Sequence, residues 1–232
     1  MYRANNTNII LSCLLVAAVS LLMGRNQGVS AASEEEGSSP VTYGSAIKLT
    51  HIESSAKDGS KEYFLNSEAK NLGSGSGQQI VTMLGDKTAS STFWLVREGH
   101  DAKYAEEPGT PVPCGSIIRL THLDTNRNLH SHDVPSALSR QQEVTGFGNE
   151  GNGDRGDNFK VVCSGKTWKR GEKVRFYHQD TRKYLGASSS VKFDERNCGN
   201  RCPILHHLEA FARKNQDVYS EFKVDLGVHL SK

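Results

Sequence analysis

From residue 41 onward, apolar and polar positions alternate in short runs, and the runs recur. "SAIKLTHIES" (45–54), "SIIRLTHLDT" (116–125) and "EKVRFYHQDT" (172–181) each space apolar residues two apart: Ile47 and Leu49, Ile118 and Leu120, Val174 and Phe176. Period-two alternation predicts half-buried strands. Each run contains a histidine at the same place, His51, His122 or His178, followed by a hydrophilic turn. A second strand is expected at "EYFLNSE" (62–68), "RNLHSHD" (127–133) and "RKYLGAS" (182–188), where Leu65, Leu129 and Leu185 correspond. A third follows at "GSGQQIVTML" (75–84) and "LSRQQEVTGF" (138–147), with a weaker counterpart at "PILHHLEAFA" (203–212). A fourth, aromatic, strand closes each unit: "TFWLVREG" (92–99), "NFKVVCSG" (158–165) and "EFKVDLG" (221–227).

Three units of four strands make about twelve short strands with pseudo-threefold symmetry, an all-β chain. Three such units remove their open edges by closing on one another as a β-trefoil, whereas a propeller usually needs at least four blades. The boundaries expected are repeat one at 41–105, repeat two at 111–166 and repeat three at 167–228, with a linker at 33–40 and a tail at 229–232. The fold leaves room for a short helix in a loop such as "PSALSR" (135–140).

The N-terminus differs from all of this. Arg3 precedes an uncharged apolar run from Ile9 to Gly24, and "VSAAS" supplies small residues for cleavage after Ala31 or Ala32. That pattern predicts a secretory signal peptide over 1–32, with an uncleaved anchor as the alternative, and no membrane span in the mature chain. The sequon at Asn5 falls inside it. With 28 basic and 26 acidic residues the net charge is +2, which gives no reason to expect nucleic acid or an acidic membrane as the main partner. The 22 glycines against six prolines suit a turn-rich β protein.

Secretion makes the cysteines informative. Cys13 leaves with the signal, and Cys114, Cys163, Cys198 and Cys202 remain, an even set for an oxidising compartment. In a trefoil unit the start of the first strand and the end of the last return close together, so Cys114–Cys163 and Cys198–Cys202 are the expected bridges, with free thiols as the alternative. "CGNRC" resembles half a zinc knuckle, but no second pair at that spacing exists.

Candidate chemistry concentrates in repeat two. His130, His132 and Asp133 lie within four positions, and Gln141 and Gln142 have counterparts in Gln78 and Gln79. Imidazole, carboxylate and carboxamide groups suit a polar ligand such as sugar or peptide. Strand-end hydrogen bonding is the competing reading, and the favoured one for the glutamines. His130 and His132 share a strand face, but the sequence places no third ligand beside them, so no metal site is expected. No nucleophile elbow, phosphate-cradling loop or cofactor motif is present: "LGSGSGQ" (72–78) opens no helix and lacks the following Lys-Ser, and "RGD" (155–157) sits in a Gly/Asp turn. The chain is therefore expected to have no catalytic residues and no cofactor.

"SIIRLTH", "NLHSHD" and "QQEVTGF" together resemble the MIR domain, with "GSGSGQQ" and "WKRGEKVRFYH" as supporting matches. A signal peptide followed by three such repeats is similar to the stromal cell-derived factor two family, over roughly residues 41–228. The resemblance implies a trefoil without catalytic activity of its own, located in the endoplasmic reticulum lumen or secreted. It implies partners too: a luminal DnaJ-type co-chaperone, Hsp70, client polypeptides and mannose-containing glycans, in protein quality control of O-mannosylated clients. A free, secreted lectin-like glycan binder is the alternative. Three features depart from the family pattern: "GVHLSK" stands at the end in place of a KDEL-type address, Tyr43 stands where relatives often carry Cys, and "PILHHLEA" replaces the Gln-rich strand start.

Overall fold

An alternating strand with one polar face leaves its backbone edges unpaired unless the sheet closes. In the computed structural model, which describes residues 38–232, it closes. The predicted signal peptide lies outside the described residues. Repeat one supplies β1 (Ala46–His51), β2 (Tyr63–Asn71), β3 (Gln79–Leu84) and β4 (Trp94–Glu98). Repeat two supplies β5 (Ile117–His122), β6 (Asn128–Pro135), β7 (Gln142–Phe147) and β8 (Phe159–Cys163). Repeat three supplies β9 (Val174–His178), β10 (Lys183–Lys192), β11 (Leu208–Arg213) and β12 (Phe222–Val228).

First and fourth strands form a six-membered ring: β4 pairs with β1 and β5, β8 with β5 and β9, and β12 with β9 and β1. Second and third strands form three hairpins, and β3, β7 and β11 pair with one another over one end of the ring. This is a β-trefoil. Leu65, Leu129 and Leu185 are fully buried on equivalent hairpin positions, opposite Met83, Gly146 and Ala212 respectively.

One closure leaves no local pattern in the sequence. The segments entering each repeat meet as a triangle: the Val41 N–H donates to the Trp168 carbonyl at 2.8 Å, Trp168 N–H to Val112 at 2.9 Å, and Val112 N–H to Val41 at 2.9 Å. The side chains of Val41, Val112 and Trp168 are completely buried there. Pro40, placed in the linker by sequence, bridges Lys169. The tail also docks, with Leu230 N–H on Ser45 Oγ at 3.0 Å and its carbonyl accepting from Thr42 Oγ1 at 2.7 Å.

The recurring histidines join the repeats. His51, His122 and His178 are fully buried, each ring about 5 Å from a buried aromatic, Phe222, Trp94 or Phe159. Their Nε2 atoms face the carbonyls of Tyr219, Ser91 and Gly156 at 3.1, 2.9 and 2.9 Å. A carbonyl only accepts, so Nε2 carries the proton. Nδ1 is then free to accept from the hydroxyls of Ser54, Thr125 and Thr181 at 2.8, 2.8 and 2.7 Å. Each carbonyl belongs to a one-turn 3-10 segment, 218–220, 90–92 or 155–157, preceding a fourth strand.

Cys114 and Cys163 are disulfide-bonded, 5.4 Å apart at Cα, as are Cys198 and Cys202 at 5.2 Å. The first bridge closes a loop spanning 49 positions across repeat two, worth about 4 kcal/mol in the chain-entropy model. The second packs on a satellite cluster of Ile80, Phe193 and Ile204. No helix forms at 135–140, where there was room for one: after Pro135 the backbone is a turn, held by Glu209, which accepts from Leu138 N–H at 2.6 Å and Ser139 N–H at 2.9 Å. Helices form instead at Ile52–Asp58, where Gly59 at φ +67° ends the turn, and at Glu195–Cys198, capped by Asp194.

Two outcomes are expected from this packing. Trp168→Ala should lose about 3–5 kcal/mol in denaturant titration. Trp168→Phe should cost much less, because among the described residues the buried Nε1–H has no acceptor. Burial also pushes the pKa of His51 down to about 4, and holds those of His122 and His178 below the usual value. In the acid window the unfolded state therefore binds more protons than the folded one. The stabilisation is complete above the unfolded value of about 6.5 and is lost as pH falls toward 4. For His51 the loss is on the order of 3 kcal/mol. Melting curves across pH 7 to 4 should show this slope and should show it reduced in His51→Gln.

Candidate functional site

The stretch "NLHSHDVP" forms β6, and its alternation puts His130 and His132 on one face. His130 pairs across the hairpin with Thr145, as Asn66 does with Thr82 and Gly186 with Phe211. All three positions face the 3-10 turn of their own repeat. Asn66 accepts from Ser91 Oγ at 2.6 Å, His130 meets Asp157 at 2.9 Å, and Gly186 admits the Tyr219 carbonyl, which would lie 2.6 Å from an added Cβ. The His130 position is thus a scaffold clamp, filled differently in each repeat.

Asp157, in the turn Arg155–Asp157, is completely buried. Its Oδ2 accepts from Asn128 Nδ2 at 2.9 Å, from Asp154 N–H at 3.1 Å and from His100 Nε2 at 2.8 Å, and its Oδ1 accepts from His130 Nδ1. Burial pushes its pKa up, but the hydrogen bonds from His130, His100 and Asn128 outweigh that and hold it below the usual carboxylate value. Two glycines make room: a Cβ on Gly153 would lie 1.9 Å from Asp157 Oδ2, and one on Gly156 2.2 Å from His130 Cε1. The burial also means that the "RGD" tripeptide does not display its aspartate.

The chain of contacts continues outward. His130 Nε2 lies 3.2 Å from His132 Nδ1, and His132 Nε2 lies 3.1 Å from Glu143 Oε1. Glu143, also buried, accepts from the Ser76 hydroxyl and, at 3.4 Å, from its N–H. A Cβ on Gly75 would lie 2.0 Å from Glu143 Oε2. Each contact of this carboxylate–His–His–carboxylate series lies at hydrogen-bond distance, and the contact between the rings requires a proton on one of the two facing nitrogens.

Glu143 also has an architectural counterpart. Glu209 of β11 holds the β6–β7 loop as Glu143 of β7 holds the β2–β3 loop. The third equivalent, Ile80, packs against the disulfide-bearing β10–β11 loop.

An open cleft of about 540 Å³ lies above this series, lined by His130, His132, Gln78, Asp133, Phe147, Asp154, Arg155 and Asp180. The His130 ring packs on Phe147 with centroids 4.6 Å apart. Asp133, Asp154 and Asp180 outnumber Arg155, so the rim is acidic. Asp133 is exposed, 3.2 Å from Lys183.

The predicted set therefore divides. Gln78, His130, His132 and Asp133 come together at the cleft. Gln141 sits apart, in a recess of about 310 Å³ with Arg140 and Lys214. Gln79 and Gln142 are buried, and each donates from Nε2 at 2.7 Å to the threonine that serves a neighbouring histidine, Thr125 or Thr181. Repeat three carries Leu208 at the corresponding position. Sequence reading missed His100, Glu143 and the Asp154/Asp157 pair. The last had a signal: Asp-x-x-Asp forms a reciprocal capping box, which the turn confirms.

Asp157→Ala removes the acceptor of four donors, and unfolding free energy should fall by at least about 3 kcal/mol. Asp154→Ala, which loses a cap, should cost about 1 kcal/mol. Denaturant titration of both variants checks the order.

Comparison with known proteins gives a consistent result. The MIR domain model matches residues 59–162. A stromal cell-derived factor 2-like protein of Dictyostelium discoideum is 37% identical over 193 residues, 83% of this chain and 85% of that protein. Stromal cell-derived factor 2 of Bos taurus is 41% identical over 173 residues, 75% and 77% of the two chains. The crystal structure of the SDF2-like protein from Arabidopsis thaliana superposes with a TM-score of 0.71 at 34% identity, covering 83% of this chain and 98% of that one.

Proposed function

The chain belongs to the stromal cell-derived factor 2 family, and from that premise we propose that it is a non-catalytic accessory factor of protein quality control in the endoplasmic reticulum. In this reading it acts with Hsp70 and a DnaJ-type co-chaperone on unfolded or O-mannosylated clients. The observation that carries it is the relationship itself, which runs through 85% of the Dictyostelium relative and not through one repeat. The site is compatible with binding without turnover. The hydroxyls touching imidazole in the repeat-joining contacts are committed there: Thr125 and Thr181 each also accept from a buried glutamine. The predicted signal peptide supports entry into the secretory pathway.

The cleft is the surface through which clients would be met. Its carboxylates, the Gln78 carboxamide and the Phe147 ring can pair with hydroxyls or with cationic side chains. The same groups support the second reading, a secreted lectin-like protein. Affinity purification of the tagged chain from the luminal fraction should recover Hsp70 and a DnaJ-type protein. Their reproducible absence, together with mannoside binding on a glycan array, would favour the lectin.

A further inference from the structure

We propose that His130 and His132 form a binding site for one borderline divalent ion of the zinc or copper class, held by Nε2 of His130 and Nδ1 of His132. The inference is independent of the chaperone reading. In sequence, the two histidines offer two nitrogens and no third donor. The structure supplies what stands behind those nitrogens.

First, the two nitrogens face each other at 3.2 Å. Two lone pairs at that distance repel unless something positive lies between them. A shared proton is one occupant. A metal ion is the other, because tetrahedral zinc with Zn–N bonds of about 2.0–2.1 Å separates its nitrogens by about 3.3 Å. The ion would take the place of the shared proton, which leaves to solvent.

Second, each ring is anchored on its far side by a buried carboxylate. His130 Nδ1 donates to Asp157 at 2.9 Å and His132 Nε2 to Glu143 at 3.1 Å. Metal-binding histidines are characteristically held this way, since a carboxylate on the outer N–H fixes ring orientation and raises the basicity of the inner nitrogen. Here both ligands have that support, and both carboxylates are in turn held by neighbouring donors. The scaffold needs only the first clamp. His132 is different: it lies on the cleft wall, its side chain 26% exposed, so the ion would be reachable from solvent.

Third, the donor set selects the ion. Two imidazoles suit zinc, copper or nickel, whereas calcium and magnesium take oxygen ligands. The acidic rim would concentrate cations at the cleft. The remaining coordination positions would fall to water or to a donor on a bound partner.

A rival grouping, His130 with Asp154 and Asp157, brings its ligand atoms within 4.8 Å of one another. It uses His130 Nδ1, which is already committed to Asp157, while Asp154 Oδ1 is engaged by the Gly156 N–H at 2.8 Å. An ion on Nδ1 must displace the proton of the His130–Asp157 bond that clamps the turn, whereas one at the inner nitrogens breaks only the His130–His132 contact.

The test is copper titration of the folded chain followed by electron paramagnetic resonance, with zinc calorimetry in parallel. One ion per chain with coupling to two nitrogens is expected. His132→Ala, at a partly exposed position on the cleft wall, should leave the fold intact by circular dichroism and abolish the two-nitrogen signal. Glu143→Gln should weaken zinc binding by about 10–100-fold. Asp154→Asn, which removes one rim charge, should keep the two-nitrogen coupling. Retention of the signal in His132→Ala, its loss in Asp154→Asn alone, or no binding of either ion up to millimolar concentration would overturn the proposal.

Discussion

Three buried imidazoles hold this trefoil in register. Each hydrogen-bonded barrel pairing joins two strands, but a histidine at the end of a first strand reaches a third element, the 3-10 turn of a neighbouring repeat. A neutral imidazole suits the task because it offers one donor and one acceptor on opposite sides of a flat, packable ring. The donor meets a carbonyl in the neighbour, and the acceptor takes a hydroxyl from the histidine's own turn. Burial beside an aromatic keeps the ring uncharged, and the uncharged state is what makes the two-sided contact possible.

The cleft follows from that frame. The turn accepting from His178 is the same turn that carries Asp157, so one 3-10 segment is bonded to two repeats at once. With its backbone fixed by His178 and its carboxylate by His130, the segment becomes a rigid wall. His132 and Glu143 extend the polar series to the β2–β3 loop, which gives the opposite side of the cleft a defined position. Repeats one and three use an asparagine and a glycine where repeat two uses His130. Function can therefore differ among the repeats without disturbing the threefold scaffold.

Much of the scaffold was legible in the sequence because period-two alternation and repetition are local signals. The three strand-end histidines and Leu65, Leu129 and Leu185 could be aligned by eye. The triangle of Val41, Val112 and Trp168 could not: each contributes one short, unpatterned segment, and its meaning exists only when three distant segments converge. The site was half legible for the same reason. "HSHD" drew notice through its residue types, whereas Asp157 lay in what reads as a flexible glycine-rich turn and Glu143 reads as an ordinary solvent-facing strand residue. Their burial depends on glycines at 75, 153 and 156, whose missing Cβ atoms admit the carboxylates and the His130 ring. The glutamines show the converse, since Gln79 and Gln142 have ligand-like chemistry but are spent inside the scaffold.

The repeat-joining contacts require three neutral imidazoles, and long-range proton–nitrogen NMR of the histidines tests that requirement most directly. His51, His122 and His178 should show the neutral Nε2–H tautomer at neutral pH, with His51 remaining neutral down to about pH 4. Imidazolium signals from His51, His122 and His178 at neutral pH would contradict the protonation scheme on which the scaffold is built.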